Sequence, residues 1–315
     1  MNQSSYPLRR RNHLQHSSFN LCRCKISCGC LCVYCRALHI AVVQGQLGIV
    51  HTLIYLLRLA NRDLDIYNNL RQTPLHLAVI TRQADMVEAL LRAGADSAAL
   101  DRNGQTALHL CCEYDQQDCL SVILFLSPPS ACLEIRNYEG LSPLHLAVQR
   151  GHKDLARTLL EAGADINAMD IKSGQSPLMH AVESNNADMV HFLIESGCDV
   201  NSQSYSGNTA LHSACGRGQV ETVRLLLKSG ADSSLKNYHN DTPLMVAKNK
   251  KVRKRNDKDD WKRKIEQYFI CTLSPSGSPS PNHSLGCSPS TTPHTPHHPA
   301  SQSPKPPPQL AFTFY

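Results

Sequence analysis

Histidine and cysteine are the residue types in this sequence that could support metal binding or acid–base chemistry. The chain of 315 residues contains 16 His and 14 Cys, and the stretch His109-x-Cys111-Cys112 has the residue types of a metal site. However, Cys111 stands where similar segments of the chain have alanine, and His109 belongs to a set of five histidines at one place in a repeated hexapeptide. The set is His39, His76, His109, His145 and His212. We interpret these five as structural residues that hydrogen-bond between repeats.

Catalytic patterns are absent from the sequence. It contains no phosphate-binding glycine loop, no His-Glu-x-x-His and no nucleophile elbow. The sequence therefore predicts a binding protein and not an enzyme, with no cofactor and no metal.

A second group of cysteines lies near the N terminus, in CRCKISCGCLCVYC from Cys22 to Cys35. Cys-x-Cys spacing can wrap a soft metal ion, but the paired Cys-x-x-Cys knuckles typical of zinc sites are missing. We favour a disordered leader over residues 1–35, of the kind that an alternative exon supplies, and a metal-buffering segment is the alternative. No apolar signal sequence or membrane-length run is present, so we expect a soluble protein from a reducing compartment.

The hexapeptide that carries the five histidines recurs seven times, at intervals of 33 to 37 residues. Its copies begin at Arg36 (RALHIA), Thr73 (TPLHLA), Thr106 (TALHLC), Ser142 (SPLHLA), Ser176 (SPLMHA), Thr209 (TALHSA) and Thr242 (TPLMVA). This period is typical of the ankyrin repeat, a β-turn followed by two antiparallel helices. We predict an all-α solenoid of about seven repeats with β-turn fingers over residues 36–247, flanked by disordered termini.

Each repeat also contains signals for where its helices begin and end. Thr73 is a predicted N-cap for a first helix, and Leu75, Leu77 and Ala78 are predicted to pack against neighbouring repeats. A glycine follows the second helix in four repeats, where a left-handed C-cap is expected. These glycines are Gly94, Gly163, Gly197 and Gly230.

Charge is strongly segregated along the chain. Residues 37–247 contain 15 Lys or Arg and 22 Asp or Glu, a net charge of −7, whereas Lys248 to Lys264 carry ten Lys or Arg and three Asp, a net charge of +7. We assign residues 248–268 to a basic segment that replaces the second helix of the seventh repeat. Because nucleic-acid affinity depends on Lys and Arg, the acidic stack favours a basic protein surface as its partner.

Two regulatory signals are predicted beyond the repeats. A nuclear-import signal is predicted at Lys250, Lys251, Arg253, Lys254 and Arg255. The Ser/Pro-rich tail, residues 269–315, is predicted to be disordered and to be a substrate of proline-directed kinases. Its candidate phosphorylation sites are Ser274, Ser278, Ser280, Ser288, Thr292, Thr295 and Ser303.

The fingers are the expected recognition elements, because ankyrin proteins use fingertips and concave inner helices for binding. The two residues before each turn glycine, or before its equivalent, mark the predicted tips. The candidate partner-binding residues are Asn69, Leu70, Arg102, Asn103, Tyr138, Glu139, Lys172, Ser173, Tyr205, Tyr238 and His239. Three of these tips carry tyrosine, a residue type enriched at binding hot spots.

Several fingers with non-consensus letters resemble those of the inhibitor-of-NF-kappa-B family. The matching stretches are LDIYNNLRQTPLHLAVIT, DIKSGQSPLMHAVE, YSGNTALHSACGRG and ADSSLKNYHNDTPLMVA, and the resemblance covers roughly residues 37–247. It implies binding to NF-kappa-B Rel-homology homodimers, contact with DNA only through them, and action as a transcriptional coregulator in the nucleus, with some protein in the cytoplasm. No membrane partner is expected.

Two other functions remain open from the sequence. A cytoplasmic inhibitor that removes Rel dimers from DNA benefits from acidic residues at the end of its stack, whereas this chain places a net charge of +7 there. We therefore favour a coregulator that tolerates DNA in the complex. A generic ankyrin scaffold for other proteins is the second alternative, and nuclear exclusion without recovery of Rel subunits would favour it.

Overall fold

Paired helices account for most of the residues that the structure describes. The computed structural model describes residues 31–127, 132–249 and 259–273, and these residues form fourteen α-helices and no β-strand. The helices are α1 Leu31–Val43, α2 Leu47–Leu59, α3 Pro74–Ile80, α4 Ala84–Arg92, α5 Ala107–Tyr114, α6 Gln117–Leu126, α7 Pro143–Arg150, α8 Lys153–Glu161, α9 Pro177–Glu183, α10 Ala187–Glu195, α11 Ala210–Arg217, α12 Val220–Lys228, α13 Pro243–Asn249 and α14 Asp259–Leu273.

The helices form two layers of a solenoid. Odd-numbered helices are the first helices of the repeats, and each contacts the next odd-numbered helix along the stack. Each also contacts the second helix of its own repeat. In the second layer, α4 contacts α6, α6 contacts α8, α10 contacts α12, and α12 contacts α14. The predicted solenoid of about seven stacked repeats is therefore confirmed.

Four of the first helices begin with the cap that the hexapeptide predicts. The Thr73 hydroxyl accepts from the His76 backbone N–H, and Nδ1 of His76 accepts from the Thr73 N–H at 3.0 Å. The same reciprocal cap forms at Thr106, Ser142 and Thr209. Ser176 makes no side-chain cap bond, because Met179 occupies the histidine position there.

The apolar residues of the hexapeptides build a continuous core. Leu75 and Ala78 are buried, and Leu77 packs against the core while partly exposed. Cys111 is fully buried, as its alanine-like position predicts, and burial raises the pKa of its thiol above the usual range. Burial also raises the pKa of Cys215 to about 12. These thiols therefore act as small core side chains.

Glycines end the second helices in the left-handed conformation. Gly94 has φ 96° and Gly163 has φ 98°, which side chains with a Cβ rarely adopt. Gly197 and Gly230 have φ of 85° and 87°. The predicted C-caps are confirmed.

The first helix extends beyond the predicted repeat boundary. We placed residues 1–35 in the leader, but α1 begins at Leu31. Leu31-Cys-Val-Tyr-Cys contains no Gly, Pro or Ser/Thr cap to stop a helix, so the helix continues towards the N terminus in place of the usual turn. Residues 1–30, which hold the rest of the cysteine tract, lie outside the described residues.

The seventh repeat has its second helix, contrary to our prediction. Helix α14 spans the end of the predicted basic segment and the first residues of the predicted tail, and it contacts α12 and α13. Ile265 and Phe269, four residues apart, are buried. The Arg224 guanidinium lies 5.8 Å from the ring centre of Tyr268. The sequence analysis missed this helix because its short apolar face directly follows a dense run of charged residues.

Candidate protein-recognition surface

Five of the six fingers are tight turns whose backbone is held by one Asp or Asn side chain. In the third finger, the Asp101 N–H donates to the Gln105 carbonyl at 3.0 Å. Oδ1 of Asp101 accepts from the N–H groups of Asn103 and Gln105 at 2.7 and 2.8 Å. Asn68, Asn137 and Asn237 do the same in their fingers. The fingertips are therefore preorganised before any partner binds.

The structural histidines fix five of the six fingers to the preceding repeat. Nε2 of His109 lies 3.0 Å from the Leu141 carbonyl at the base of the next finger, and His76 reaches Gln105 at 3.1 Å. His39, His145 and His212 make the same bond to Gln72, Gln175 and Asp241. Since Nδ1 of His109 accepts from the Thr106 N–H, Nε2 carries the proton and donates it. The prediction of inter-repeat hydrogen bonds is confirmed.

Burial lowers the pKa of four of these histidines and so favours their neutral form. It lowers the pKa of His109 to about 4, and burial with the nearby His180 lowers that of His145 to about 4. Burial also lowers the pKa of His76 and His212. Within the described ranges, no group of three or more His, Cys, Asp or Glu side chains is arranged to hold a metal ion.

A ladder of backbone hydrogen bonds joins neighbouring fingertips. The Tyr138 N–H donates to the Asn103 carbonyl at 3.0 Å, and the Tyr205 N–H donates to the Ser173 carbonyl at 2.9 Å. Tyr238 donates in the same way to Ser206 at 3.1 Å. The six fingers therefore form one continuous surface and not six separate loops.

The predicted tip residues lie on this surface, and all but one are exposed. Ser173 is half-buried, because its hydroxyl donates to Oδ2 of Asp170 at 2.6 Å. The exposed residues are Asn69, Leu70, Arg102, Asn103, Tyr138, Glu139, Lys172, Tyr205, Tyr238 and His239. Their role in partner binding remains a prediction.

Each tip tyrosine rests on the glycine of the preceding finger. A Cβ built on Gly104 would lie 2.5 Å from Cδ1 of Tyr138, and one on Gly207 would lie 2.9 Å from Cδ1 of Tyr238. Tyr205 covers Gly174 in the same way. These rings are thus fixed on one side and exposed on the other.

The fifth finger contains a tip residue that the sequence analysis missed. This finger closes with a bond from the Asp170 N–H to the Gln175 carbonyl, five residues apart, whereas the third finger closes over four. The extra residue moves the ladder position to Ile171, whose N–H donates to the Gly140 carbonyl at 3.1 Å and whose side chain is 62% exposed. The sequence analysis selected Lys172 because it counted back from the turn glycine, Gly174. Counting forward from Asp170, which corresponds to Asp101 of the third finger, would have selected Ile171.

A buried polar contact anchors this longer finger. Nε2 of His180 lies 3.2 Å from Oδ2 of Asp170, and its ring meets the His145 ring edge-on at 5.2 Å. Burial opposes ionisation of Asp170, but hydrogen bonds from Ser173, Gln175 and His180 outweigh it and lower its pKa to about 2. The His180 contact therefore ties the first helix of this repeat to its own finger.

A polar groove lies beside the third and fourth fingers, on the side of the first helices. Its volume is 650 Å³, and its lining includes Tyr114, Tyr138 and Glu139. Glu113 and Arg150, which also line it, form an ion pair between repeats. A smaller groove of 440 Å³ near the sixth finger includes Arg217, which lies 3.5 Å from Glu183.

Several predicted sites cannot be placed on this surface. The import candidates Lys250 to Arg255 and the phosphorylation candidates from Ser274 to Ser303 lie outside the described residues. No helix among the described residues is both long and apolar enough to span a membrane.

The capped helix pairs, the left-handed glycines and the finger ladder are features of ankyrin repeats, and comparison with known proteins agrees. The family described as Ankyrin repeats (3 copies) matches residues 38–131, 99–170, 122–204 and 178–254. The chain belongs to the ankyrin-repeat family.

Within this family, the chain resembles the NF-kappa-B regulators that its finger sequences indicated. It is 49% identical over 216 residues to the B-cell lymphoma 3 protein homolog of Mus musculus, covering 68% of this chain and 48% of that protein. It is 38% identical over 139 residues to NF-kappa-B inhibitor alpha of Homo sapiens, covering 42% of this chain and 43% of that protein. The chain thus spans about half the length of these relatives.

A solved structure gives the same result. The crystal structure of the ankyrin repeat domain of Bcl-3, described as a unique member of the IkappaB protein family, is similar with a TM-score of 0.68 and 54% identity. The match covers 74% of this chain and 97% of that domain. The resemblance seen in the sequence is therefore confirmed.

Proposed function

We propose that this chain is a nuclear ankyrin adaptor that binds NF-kappa-B Rel-homology homodimers and acts as a transcriptional coregulator on DNA. The observation that carries the proposal is the 49% identity to a B-cell lymphoma 3 protein over 216 residues, which are 68% of this chain. The similarity to an NF-kappa-B inhibitor supports the same class of partner.

The fingertips and the neighbouring first helices supply the proposed contact surface. The backbone ladder and the Asp or Asn bonds hold the tips in one conformation, so little conformational entropy is lost on binding. Tyr138, Tyr205 and Tyr238 are the proposed anchors, because each ring is fixed against the preceding finger while most of its surface is exposed.

Charge favours a complex that retains DNA. The net charge of −7 over residues 37–247 complements the basic surface of a DNA-binding dimer. Residues 248–264 carry a net charge of +7, and this positive charge does not repel the DNA duplex. Its N-terminal part is the proposed import signal, and the Ser/Thr-Pro sites are the proposed targets of proline-directed kinases.

A gel-shift titration tests the function directly. Purified protein added to a preformed complex of a Rel-homology homodimer and DNA is expected to give a slower-migrating ternary species at moderate salt. Loss of the DNA complex at stoichiometric protein would instead support the cytoplasmic inhibitor. No effect, together with no binding to the free homodimer, would support a scaffold for other proteins.

A further inference from the structure

Helix α2 has apolar side chains on two of its sides. The set that is buried in the stack consists of Val50, Leu53, Ile54 and Leu57. A second set repeats at helical spacing on another side of the helix, and it consists of Ile49, Tyr55, Leu56 and Leu59. Leu56 is half-buried, and the exposed fractions of Ile49, Tyr55 and Leu59 are 41%, 62% and 66%. We call these four residues the α2 face.

The second helices of the other repeats mostly carry charge on their exposed side. Counted from the N-cap residue, the equivalents of Tyr55 in α4, α8, α10 and α12 are Arg92, Glu161, Glu195 and Lys228, all exposed. In α6 the equivalent is Phe125. A helix that is apolar on more than one side is typical of a helix covered on more than one side. The α2 face therefore has the character of a contact surface.

The environment of Ile49 indicates what the α2 face lacks. Its equivalents in α4, α6, α8, α10 and α12 are Met86, Cys119, Leu155, Met189 and Thr222, each at most 4% exposed. Those five helices have a helix pair before and after them, whereas no described helix precedes α1 and α2. Since the following repeat is present in every case, the missing preceding repeat accounts for the exposure of Ile49.

Arg58 supports this orientation of α2. Its guanidinium donates to the Ala93 carbonyl at 2.8 Å, so this side of α2 is turned towards the end of α4. Ile49 lies about two and a half turns earlier and hence on the opposite side of the helix. The α2 face is therefore directed away from the following repeat, to the position where a helix of a preceding repeat packs.

The surroundings of the α2 face are basic. Asp63 is the first acidic residue of the chain, so residues 1–62 contain eight Lys or Arg and no Asp or Glu. Arg58 and His51, both exposed, are three and four residues from Tyr55 and lie beside it on the helix surface. Asp63 itself follows the C-terminal end of α2. The edge of the α2 face thus complements negative charge.

Charge separates the three possible occupants of this face. Residues 1–30 contain five Lys or Arg and no acidic residue, so they would bring like charge to a basic edge. A second copy of the chain would bring the same Arg58 and His51. A helix of another protein with an apolar stripe between acidic residues complements both the α2 face and its edge.

We propose that the α2 face binds an acidic amphipathic helix of another protein, in the position of a helix from a preceding repeat. The apolar stripe of that helix contacts Ile49, Leu56 and Leu59, and its Asp or Glu residues lie beside Arg58. Because the α2 face is on a second helix, this partner leaves the fingertips and first helices free for a Rel dimer.

Fluorescence anisotropy with a labelled peptide tests the proposal on the full chain. The peptide spans about four helical turns, with Leu along one side and Glu on both flanks. We expect saturable binding, weakened about tenfold or more by combined Tyr55→Ala and Leu59→Ala. Phe125→Ala is the matched control, because Phe125 has the same helix position as Tyr55 in another repeat and is 84% exposed. This variant should bind the peptide as the unchanged protein does.

Charge variants make the test specific. A peptide with Lys in place of Glu should bind at least about tenfold more weakly, and binding of the Glu peptide should weaken as the salt concentration rises. Arg58→Gln should weaken the Glu peptide more than a peptide with Gln in place of Glu. Equal binding of the Glu peptide by the double variant and Phe125→Ala, or tighter binding of the Lys peptide, would overturn the proposal.

Two further outcomes would assign the α2 face to a different occupant and would also overturn the proposal. A concentration-dependent dimer that combined Tyr55→Ala and Leu59→Ala dissociates, measured by analytical ultracentrifugation, would assign it to a second copy. Peptide binding that appears only after Phe19→Ser and Leu21→Ser would assign it to residues 1–30. The substituted residues Tyr55 and Leu59 are exposed, so an unchanged melting curve is expected and separates lost binding from unfolding.

Discussion

The neutral, buried histidines make the stack sensitive to acid. His109 and His145 donate from Nε2 to the carbonyls of Leu141 and Gln175, and they accept at Nδ1 from backbone N–H groups, so protonation removes an acceptor. Their folded pKa of about 4 lies below the ordinary value of 6.5. Stability that is present above pH 6.5 is therefore lost as the pH falls towards 4.

We predict a lower melting temperature at pH 5 than at pH 7.5. Below the ordinary pKa of 6.5, each of the two histidines loses about 1.4 kcal/mol of stabilisation per pH unit as the pH falls to 5. Asp65 opposes them, because burial raises its pKa to about 6 and the folded state gains a proton there. Calorimetry across the range measures the slope. His109→Gln should reduce it and His239→Gln, on an exposed tip, should not; equal slopes would contradict the assignment.

Tip tyrosines are predicted to contribute more to binding than to folding. Changing Tyr138, Tyr205 and Tyr238 together to Ala should weaken Rel-homodimer binding by at least about 2 kcal/mol. Because each ring also rests on a glycine of the preceding finger, we expect a fall of a few degrees in melting temperature and not an unchanged value. Calorimetric titration measures the affinity, with Tyr55→Ala as the control. If the affinity is undiminished, the first helices and not the tip tyrosines make the main contacts with the Rel homodimer.

At the scale of the helices, α14 closes the stack and should determine how the last repeat unfolds. Ile265 is fully buried, so Ile265→Asp places a carboxylate in the core without a partner, at a cost of several kcal/mol. We expect rapid hydrogen exchange in α13 and α14 while the central repeats stay protected. Gln267→Asp, on the exposed side of α14, is the control. If hydrogen exchange instead increases uniformly along the chain, the last repeat does not unfold separately from the central repeats.

The basic run that follows α13 is predicted to direct nuclear import. Replacing Lys250, Lys251, Arg253, Lys254 and Arg255 by neutral residues should move the protein to the cytoplasm, because import receptors recognise clustered Lys and Arg. Fluorescence microscopy measures the distribution, and an unchanged melting curve excludes unfolding. As a control, the same basic residues are also replaced in the triple tyrosine variant, which should no longer enter the nucleus bound to a Rel partner. If that combined variant stays nuclear, the basic run is not the import signal.

Particular elements show what could be read from the sequence. The roles of Thr73, Pro74 and His76 in starting α3 were predictable because all three lie within one hexapeptide. The repeat period predicted that the helix pairs stack. Helix α14 was not predictable from its charge, because Ile265 and Phe269 become informative only when packed against α12. Ile171 was missed because one inserted residue changes the register of a finger without changing its glycine.

At the scale of the whole molecule, the opposed charges of the stack and the following segment should decide whether DNA stays in the complex. Introducing Asp or Glu through residues 250–255 creates a competitor for the phosphate-binding surface of the Rel dimer, so we predict a change from a ternary complex to displacement. Gel shifts at moderate salt measure it. Substitution of the same residues by Gln is the control for loss of positive charge alone, and identical behaviour of both variants would contradict competition.

Phosphorylation should act in the same direction. Each phosphate on a Ser/Thr-Pro site adds about −1.5 to −2 charges, so several of them would offset the net charge of +7. We predict that protein treated with a proline-directed kinase retains less DNA in the ternary complex than untreated protein. Alanine at the seven sites should abolish the difference, and a kinase effect that survives those substitutions would point to another site.

The packing of Tyr138 on Gly104 and the bond from His109 to Leu141 both cross from one repeat into the next. The boundaries of the sequence repeat therefore differ from those of the cooperative packing unit. A finger packs against the repeat that precedes it as well as the helices that follow it. A chimera assembled from this protein and another ankyrin protein should consequently be joined within a second helix. A junction at the start of a finger would pair a tyrosine with a foreign turn and a histidine with a foreign carbonyl.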